Sequence, residues 1–252
     1  MAQRGEGVSE AGARERIRRE VVSFARRDGR LSHRHQQAWN AHHARYVVAP
    51  ERDARSTSLA PGWHLDAAAL FGRTAPLVVE IGSGDGEAVL ASAQAHPEVD
   101  HLAVEVYRPG LARTIVAAER AALDNLLVLP ADARAVIESA LPPESVREVR
   151  VFFPDPWPKA RHHKRRLVDE AFVTAVTRVL EPGGVLRLAT DWPDYAEVMR
   201  AVCEAAPGLV SRHPGSPWGP RFDGRVLTRY ERKGTDLGRD IRDLAFGRPA
   251  RR

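Results

Sequence analysis

Cysteine and lysine are scarce in this sequence of 252 residues, and long apolar runs are missing from it. The one cysteine, Cys203, excludes an intramolecular disulfide and a zinc site built on cysteines. This usage is typical of a reducing compartment, so we expect a cytoplasmic protein. No apolar run reaches the ~18 residues of a membrane helix, and residues 1–20 lack the apolar centre of a signal peptide. We therefore expect no membrane association.

Lysine is almost replaced by arginine, with 3 lysines against 35 arginines, and the charge is spread unevenly. Residues 1–55 carry 12 arginines against 7 acids, and residues 225–252 carry 9 cations against 4 acids. Because the whole chain has a net charge of +5, two basic ends flank an acidic body. Such ends favour contact with phosphate, although solubilising tails would have the same composition. We predict a basic N-terminal arm over 1–55, partly disordered and with a helix at 16–27, and one larger domain over 56–252.

Short apolar runs alternate with segments of helical periodicity through the middle of the chain. Each run has the length of a strand, and the segments between the runs place their apolar residues on one helical face. The alternation predicts an α/β fold, with an open, mainly parallel sheet and helices on both of its faces. The predicted strands lie at 77–81, 101–107, 126–129, 146–153 and 185–189, with later candidates at 210–213 and 226–231. The helices between them are predicted after residue 86 and at 111–123, 135–141, 168–180 and 195–206.

An acid lies at or near the carboxyl end of each of the five main predicted strands. In open α/β sheets, ligands bind outside this edge, so the acids are expected to surround one site. A single acid there would be read as a solvated loop residue, but an uninterrupted series indicates function. The five are Glu80, Glu105, Asp132, Asp155 and Asp191.

The loop after the first predicted strand combines glycines with acids, in the sequence E-I-G-S-G-D-G at 80–86. Glu80 precedes the loop and Asp85 lies inside it, and both carboxylates would repel the pyrophosphate of a dinucleotide. They suit a cofactor that has a cationic end and no phosphate, of which S-adenosylmethionine is one. Glu105 can then accept hydrogen bonds from ribose hydroxyls, and Asp132 from the adenine amino group. The glycines of the loop are Gly82, Gly84 and Gly86.

A third distinctive stretch is F-F-P-D-P-W-P-K-A-R-H-H-K-R-R-L-V at 152–168. Three prolines hold the backbone extended around Asp155, so the stretch is predicted to be a stiff loop that leaves a strand. A rigid acid beside Trp157 and a dense run of cations suits an anionic ligand with flat bases, which indicates nucleic acid. A strand end followed by a solvated basic loop would explain the cations, but not the acid between prolines.

Taken together, these motifs resemble those of the tRNA (guanine-N7)-methyltransferase family over roughly residues 16 to 246. The resemblance implies the seven-stranded class I methyltransferase fold, S-adenosylmethionine as cofactor, and methylation of N7 of the guanosine at position 46, in the variable loop of tRNA. It makes 56–252 the methyltransferase domain. The matching motifs are P-D-P-W-P-K-A-R-H-H-K-R-R at 154–166, E-I-G-S-G-D-G at 80–86, A-T-D-W at 189–192, V-L-T-R-Y-E at 226–231 and S-F-A-R-R-D-G-R-L at 23–31.

The resemblance also implies roles for individual residues. The cofactor acids are Glu80, Glu105, Asp132 and Asp155, beside the loop glycines, and Asp155 is also the expected catalytic group. The expected substrate contacts are Lys159, Asp191, Thr228, Arg229, Tyr230 and Glu231. The expected RNA contacts are Arg161, His162, His163, Lys164, Arg165 and Arg166. The family's usual T-K-F-E is here T-R-Y-E at 228–231, and arginine keeps the charge of lysine but changes its donor geometry.

Other functions remain open from the residues alone. Methyltransferases of exocyclic amines carry two consecutive prolines before an aromatic residue, and Asp155-Pro156-Trp157 has one proline too few. A non-catalytic RNA-binding protein would not need acids at every strand end. A nicotinamide dehydrogenase is disfavoured by Glu80 and Asp85. The sequence indicates no protein partner, and its histidines at 33–43 lack the paired acids or cysteines of a metal site.

Overall fold

The structure is a computed structural model that describes residues 31–53 and 57–251. The predicted helix at 16–27 lies outside these residues. Of the helices in the described part of the chain, none is long and apolar enough to cross a membrane.

A seven-stranded sheet forms the centre of the molecule, with strand order β3-β2-β1-β4-β5-β7-β6. The first five strands are parallel, and β7 runs antiparallel between β5 and β6. Strands β1, β2 and β3 are buried along their whole length, as expected of parallel strands covered on both faces. The strands are β1 Leu77–Ile81, β2 Asp100–Val104, β3 Leu126–Leu129, β4 Val146–Phe152, β5 Leu180–Thr190, β6 Val210–Ser211 and β7 Arg242–Gly247.

Helices cover the two faces of the sheet and create two apolar clusters. One cluster joins the sheet to α6 and α7 through side chains such as Phe172 and Tyr195. The other joins it to α1, α3 and α4 through side chains such as Trp39 and Leu111. The predicted α/β class and its two covered faces are therefore confirmed. The helices are α1 His33–Tyr46, α2 Ala67–Phe71, α3 Glu87–Ala95, α4 Arg108–Arg120, α5 Ala133–Ala135, α6 Glu170–Val179, α7 Pro193–Ala205 and α8 Arg229–Asp236.

Helix α1 belongs to the stretch that the sequence assigns to the basic arm. Ser32 caps its first turn by accepting the backbone N–H of His35, and Trp39 and Tyr46 are buried. The chain then crosses to the edge of the sheet, where Val48 N–H donates to the carbonyl of Val128 at 2.9 Å. The domain boundary at residue 55 stays a prediction, but the described part of the arm packs on the sheet.

The strand predicted at 226–231 is wrong, because this segment enters helix α8. Thr228 is the N-cap of α8, and its side chain accepts the backbone N–H of Glu231 at 3.1 Å. The capping hydroxyl satisfies a helix-end donor, which favours the helix over an extended strand. The final strand is β7, Arg242–Gly247, which pairs with β5.

Candidate active site

A cavity of about 510 Å³ opens at the carboxyl edge of the sheet. Its walls come from the ends of β1, β2 and β4, from the glycine loop, and from the first turns of α8. Of the five strand-end acids expected around one site, Glu80, Glu105 and Asp155 line this cavity, and Asp132 and Asp191 do not.

The glycine loop needs its glycines for conformation and for space. Gly82, Gly84 and Gly86 all have positive φ, of 70°, 57° and 81°. A Cβ on Gly86 would stand 2.3 Å from Oγ1 of Thr114 on α4, so any side chain there would force the buried Thr114 to shift. The loop can thus turn from β1 into α3 while staying packed on α4.

Glu105 holds the loop in place from the end of β2. Its Oε2 accepts the backbone N–H of Gly84 at 3.0 Å. Its Oε1 accepts the N–H groups of Val106 at 2.6 Å and Tyr107 at 2.8 Å. A carboxylate has about four acceptor positions, so Glu105 keeps capacity for a ligand hydroxyl while it orders the loop. Glu105 also lines the cavity.

Glu80 presents an unsatisfied acceptor in the cavity wall. Its side chain is 3% exposed, and its Oε2 has no hydrogen-bond partner among the described residues. Burial raises the pKa of the carboxyl to about 7, against the opposing effect of Arg150. Because Glu80 lines the cavity, a positive charge bound there would stabilise the ionised form of its carboxyl.

The sequence argument against a pyrophosphate assumes that the negative charge of Asp85 is unpaired. In the structure, two arginines compensate this charge. Nη2 of Arg113 lies 2.5 Å from its Oδ1, and Nη1 of Arg229 lies 3.7 Å from its Oδ2. Sequence reasoning missed Arg113, because it reads as an ordinary polar position of α4. The argument from charge therefore rests on Glu80.

Asp132 stands beside the cavity rather than in its wall. Its side chain accepts the N–H of Arg134 at 2.8 Å and so caps α5. Its neighbours Ala131 and Ala133 line the cavity. The predicted contact of Asp132 with adenine stays a prediction.

The loop after β4 brings Asp155 to the cavity wall. Phe153 N–H donates to the carbonyl of Ala189 at 2.8 Å, and Phe153 and Trp157 both have positive φ, of 52° and 45°. Non-glycine residues with this backbone are uncommon and often occur at functional sites. The prolines predict a stiff loop, and the structure adds two aromatic residues with positive φ on either side of Asp155.

Two aromatic rings beside Asp155 have defined neighbours. The ring of Tyr230 lies 5.7 Å from the ring of Phe153, and Tyr230 remains more than half exposed. The guanidinium of Arg165 lies 3.7 Å from the centre of the Trp157 ring. Of these two rings, Tyr230 lines the cavity and Trp157 does not.

The basic run forms a short 3-10 helix, Ala160–Arg165, beside the cavity. Arg161 and Lys164 are exposed on it, and Lys159 is exposed just before it, whereas Arg165, His162 and His163 are half-buried. Burial, and then the surrounding cations, lower the pKa of His162.

Arg166, which the resemblance counts among the RNA contacts, is instead buried. Its Nη2 lies 2.5 Å from Oδ2 of Asp194, and its Nε donates to the carbonyl of Pro156 at 2.9 Å. The side chain thereby ties the Asp155 loop to α7. Its charge is paired inside the protein, so the structure does not support a phosphate contact by Arg166.

The expected substrate contacts divide into two groups. Thr228, Arg229 and Tyr230 line the cavity, and Lys159, Asp191 and Glu231 do not. Asp191 is buried, with Nη1 of Arg239 at 2.7 Å from its Oδ2. Lys233 also lines the cavity, although sequence reasoning left it out. The scarcity of lysine was the signal that could have found it.

Relatives of this chain share one activity in their names. Residues 74–244 match a family model described as "Putative methyltransferase". The chain is 47% identical over 235 residues to the tRNA (guanine-N(7)-)-methyltransferase of Cutibacterium acnes, which covers 93% of this chain and 85% of the relative. It is 42% identical over 229 residues to the enzyme of the same name from Halorhodospira halophila, which covers 90% of this chain and 95% of the relative.

Solved structures show the same fold at much lower identity. The 16S rRNA methyltransferase KamB superposes with a TM-score of 0.52 at 20% identity, over 74% of this chain and 94% of that one. A 16S rRNA (adenine(1408)-N(1))-methyltransferase from Catenulisporales acidiphilia gives a TM-score of 0.50 at 18% identity, over 77% of this chain and 99% of that one. These likenesses establish the class I methyltransferase fold.

Proposed function

The chain belongs to the tRNA (guanine-N7-)-methyltransferase family, and from this premise we propose that it methylates N7 of a guanosine in tRNA, with S-adenosylmethionine as the methyl donor. The observation that carries the proposal is a cavity at the carboxyl edge of the sheet that is lined by the acids Glu80, Glu105 and Asp155 and by Tyr230. Acids in the wall fit a cationic donor, and an exposed ring at the opening fits a base.

The donor set of the cavity fits S-adenosylmethionine. Glu80, which is buried, offers a negative charge in a part of the cavity wall that is shielded from water. The carboxylate of Glu105 is fixed by three backbone N–H groups and still has acceptor positions for a ligand. Asp132, at the edge, is the expected acceptor for an adenine amino group. When bound, S-adenosylmethionine supplies a methyl group on a cationic sulfur.

The nucleophile requires little help from the protein. N7 of guanine carries an in-plane lone pair and no proton at neutral pH, so no general base is needed for its attack. The chain's own task is orientation and electrostatic stabilisation. Positive charge develops on the purine, and a carboxylate nearby stabilises it. Asp155 lines the cavity, whereas Asp191 is buried against Arg239, so Asp155 is the better supported candidate.

The tRNA surface is expected on the side of the cavity that carries exposed cations. Arg161 and Lys164 stand on the 3-10 helix, and Arg229 stands on the first turn of α8 with its side chain 79% exposed. N7 of the target lies inside the folded core of tRNA, so we expect the base to swing out before reaction. Tyr230 is then positioned to stack on it. The resemblance further implies guanosine 46 as the target.

The decisive experiment is incubation of the protein with labelled S-adenosylmethionine and unmodified tRNA, followed by nucleoside analysis. We expect 7-methylguanosine, which is labile to alkali. A transcript with adenosine at position 46 should accept no label. A product methylated on an exocyclic amine would contradict the proposal. Binding of tRNA without any transfer would indicate the non-catalytic alternative.

A further inference from the structure

Arg225 is the largest side chain that is fully buried in the described part of the chain. Its side chain is 0% exposed, and it does not line the cavity. Arginine is almost never fully buried unless it is paired, because removing its charge from water costs several kcal/mol. The full burial of the Arg225 side chain therefore requires a structural explanation.

Two carboxylates hold the guanidinium from two different elements. Nε and Nη2 donate to Oε2 and Oε1 of Glu231 on α8, at 3.1 and 3.0 Å. Nη1 and Nη2 donate to Oδ1 and Oδ2 of Asp243 on β7, at 2.5 and 3.0 Å. Both partners are buried as well, with side chains 2% and 8% exposed. Paired two-bond contacts of this kind fix orientation as well as distance.

The guanidinium also lies beside the end of β4 and the start of the Asp155 loop. Its central carbon lies 5.1 Å from the centre of the Phe152 ring and 5.5 Å from that of Phe153. Phe153 in turn packs against Tyr230, at 5.7 Å between ring centres. One arginine therefore joins the loop that carries Asp155, the helix turn that carries Tyr230, and strand β7.

Glu231 takes a different role from the one that the resemblance implies. A second arginine, Arg221, donates to it through Nε at 2.8 Å and Nη2 at 3.1 Å. Burial opposes the charge of Glu231, but the hydrogen bonds from Arg221 and Arg225 hold its pKa below the usual value. Its oxygens thus accept from the buried Arg225 and the exposed Arg221, and Glu231 does not line the cavity.

A buried network of this kind adds little net stability, because desolvation of the charges offsets their attraction. What it specifies is geometry. We propose that Arg225 is a positioning residue for methyl transfer, which fixes the first turn of α8 against the loop of Asp155 without contacting substrate or cofactor. This inference rests on the proposed function.

The test uses Arg225→Lys, which keeps the charge but cannot form both paired contacts. We expect the single-turnover rate at saturating S-adenosylmethionine and tRNA to fall by ~10²-fold, the effect of a misplacement of about 1 Å at a reacting centre. The dissociation constants of both ligands should stay within about threefold of wild type, since no contact to either is removed. A merely structural role would not separate rate from affinity in this way.

The matched control is Arg248→Lys, at the residue that directly follows β7. Arg248 is a half-buried arginine that is likewise paired, with Nη2 at 2.6 Å from Oε1 of Glu144 and Nη1 donating to the carbonyl of Leu180. We expect the single-turnover rate of Arg248→Lys to equal that of wild type. A second variant, Asp243→Asn, weakens the network from β7 and should reduce the rate in the same direction as Arg225→Lys.

The outcomes separate the two hypotheses. A wild-type protein that forms no 7-methylguanosine would contradict the proposed function. With an active wild type, a folded Arg225→Lys that reacts at the wild-type rate overturns the positioning role. So does an equal loss of rate in Arg248→Lys, or a loss of tRNA affinity that accounts for the whole effect. If Arg225→Lys does not fold, the rate of Asp243→Asn decides: a wild-type rate overturns the inference and a reduced rate at unchanged affinity supports it.

Discussion

The backbone N–H of Arg229 donates a hydrogen bond of 2.6 Å to Oε2 of Glu87, across 142 positions of the chain. Glu87 is the first residue of α3, directly after the glycine loop, and Arg229 is the first residue of α8. Arg229 also contacts the glycine loop itself, because its Nη1 lies 3.7 Å from Oδ2 of Asp85. The segment expected to bind guanosine is therefore fastened to the loop expected to bind the cofactor.

Glu87→Ala should loosen this connection. A hydrogen bond to a charged acceptor contributes ~1.5–3 kcal/mol, and only part of it is realised at a half-exposed site. We expect dissociation of S-adenosylmethionine to become about three- to tenfold faster, because the first turn of α8 no longer closes the cavity wall. Stopped-flow measurement of the dissociation rate checks this. Glu98→Ala, at an exposed glutamate that is paired with His96 and does not line the cavity, is the control. Equal rates in the two variants would show that the contact does not restrain the cavity.

Glu105→Ala tests the cofactor site itself. The change removes the acceptor expected for the ribose hydroxyls and also releases the N–H groups of Gly84, Val106 and Tyr107. We expect the affinity for S-adenosylmethionine to weaken by ~1–3 kcal/mol. Isothermal calorimetry measures it directly in the absence of RNA. An unchanged affinity would remove Glu105 from the site.

The basic run can be tested through the salt dependence of tRNA binding. Arg161 and Lys164 are exposed, and each phosphate contact that is lost should lower the slope of log affinity against log salt by ~1. We expect the double variant Arg161→Ala with Lys164→Ala to weaken tRNA binding and leave cofactor affinity intact. Filter binding at several salt concentrations measures the slope.

Two further variants serve as references for the basic run. Arg200→Ala removes a half-buried cation on α7 that is paired with Glu197 and Glu204, and the salt slope of this variant should match that of wild type. Arg166→Ala should lower the melting temperature instead, because it breaks the contacts with Asp194 and Pro156. If the double variant keeps the wild-type slope, the run is a solvated surface.

The sequence predicts the strands well where the signal is local. Strands β1 and β3 have the predicted bounds, 77–81 and 126–129, because an apolar run between turn residues is enough to define a buried parallel strand. The acids at the ends of these strands follow from the same pattern. The glycine loop is equally local, since its backbone conformation requires the glycines that the sequence displays.

The remainder depends on contacts between distant residues. V-L-T-R-Y-E at 226–231 has the composition of a strand, yet Thr228 caps a helix and Glu231 needs Arg225 and Arg221 as partners. Likewise, the pairing of Asp85 with Arg113 and the burial of Arg166 depend on the packing of α4 and α7. Side chains of the same type thus have different roles. Only the fold distinguishes an arginine that is exposed to solvent from one that is buried and paired beside the site.

Glu80 should make cofactor binding depend on pH. Burial raises the pKa of its carboxyl to about 7, so the ligand-free protein is mostly protonated there at pH 6 and mostly ionised at pH 8. A cationic ligand favours the ionised form, so the affinity for S-adenosylmethionine should rise by up to about tenfold between these pH values. Calorimetry of wild type and Glu80→Gln checks it, and the variant should show a flat profile.

The raised pKa of Glu80 should also affect the stability of the ligand-free protein. Stability should fall as the pH rises, whereas cofactor affinity should increase. A carboxyl whose pKa is raised by folding binds its proton more tightly in the folded state. The ligand-free protein should therefore lose stability as the pH rises from about 4.5 to about 7, and Glu80→Gln should lose less over this range. Identical unfolding profiles for the two proteins would mean that Glu80 is ionised throughout.

Asp155→Asn tests the electrostatic role proposed for the loop acid. The change keeps the shape of the side chain and removes its charge, so the protein should stay folded. We expect the single-turnover rate to fall by roughly 10²–10³, the usual effect of losing one preorganised contact to the transition state. Because N7 needs no general base, the wild-type rate at saturating cofactor should be nearly flat near neutral pH. An essential base would give a rising limb instead. Methyl transfer by Asp155→Asn at the wild-type rate would contradict the electrostatic role, and a rising limb that disappears in the variant would identify Asp155 as a proton acceptor.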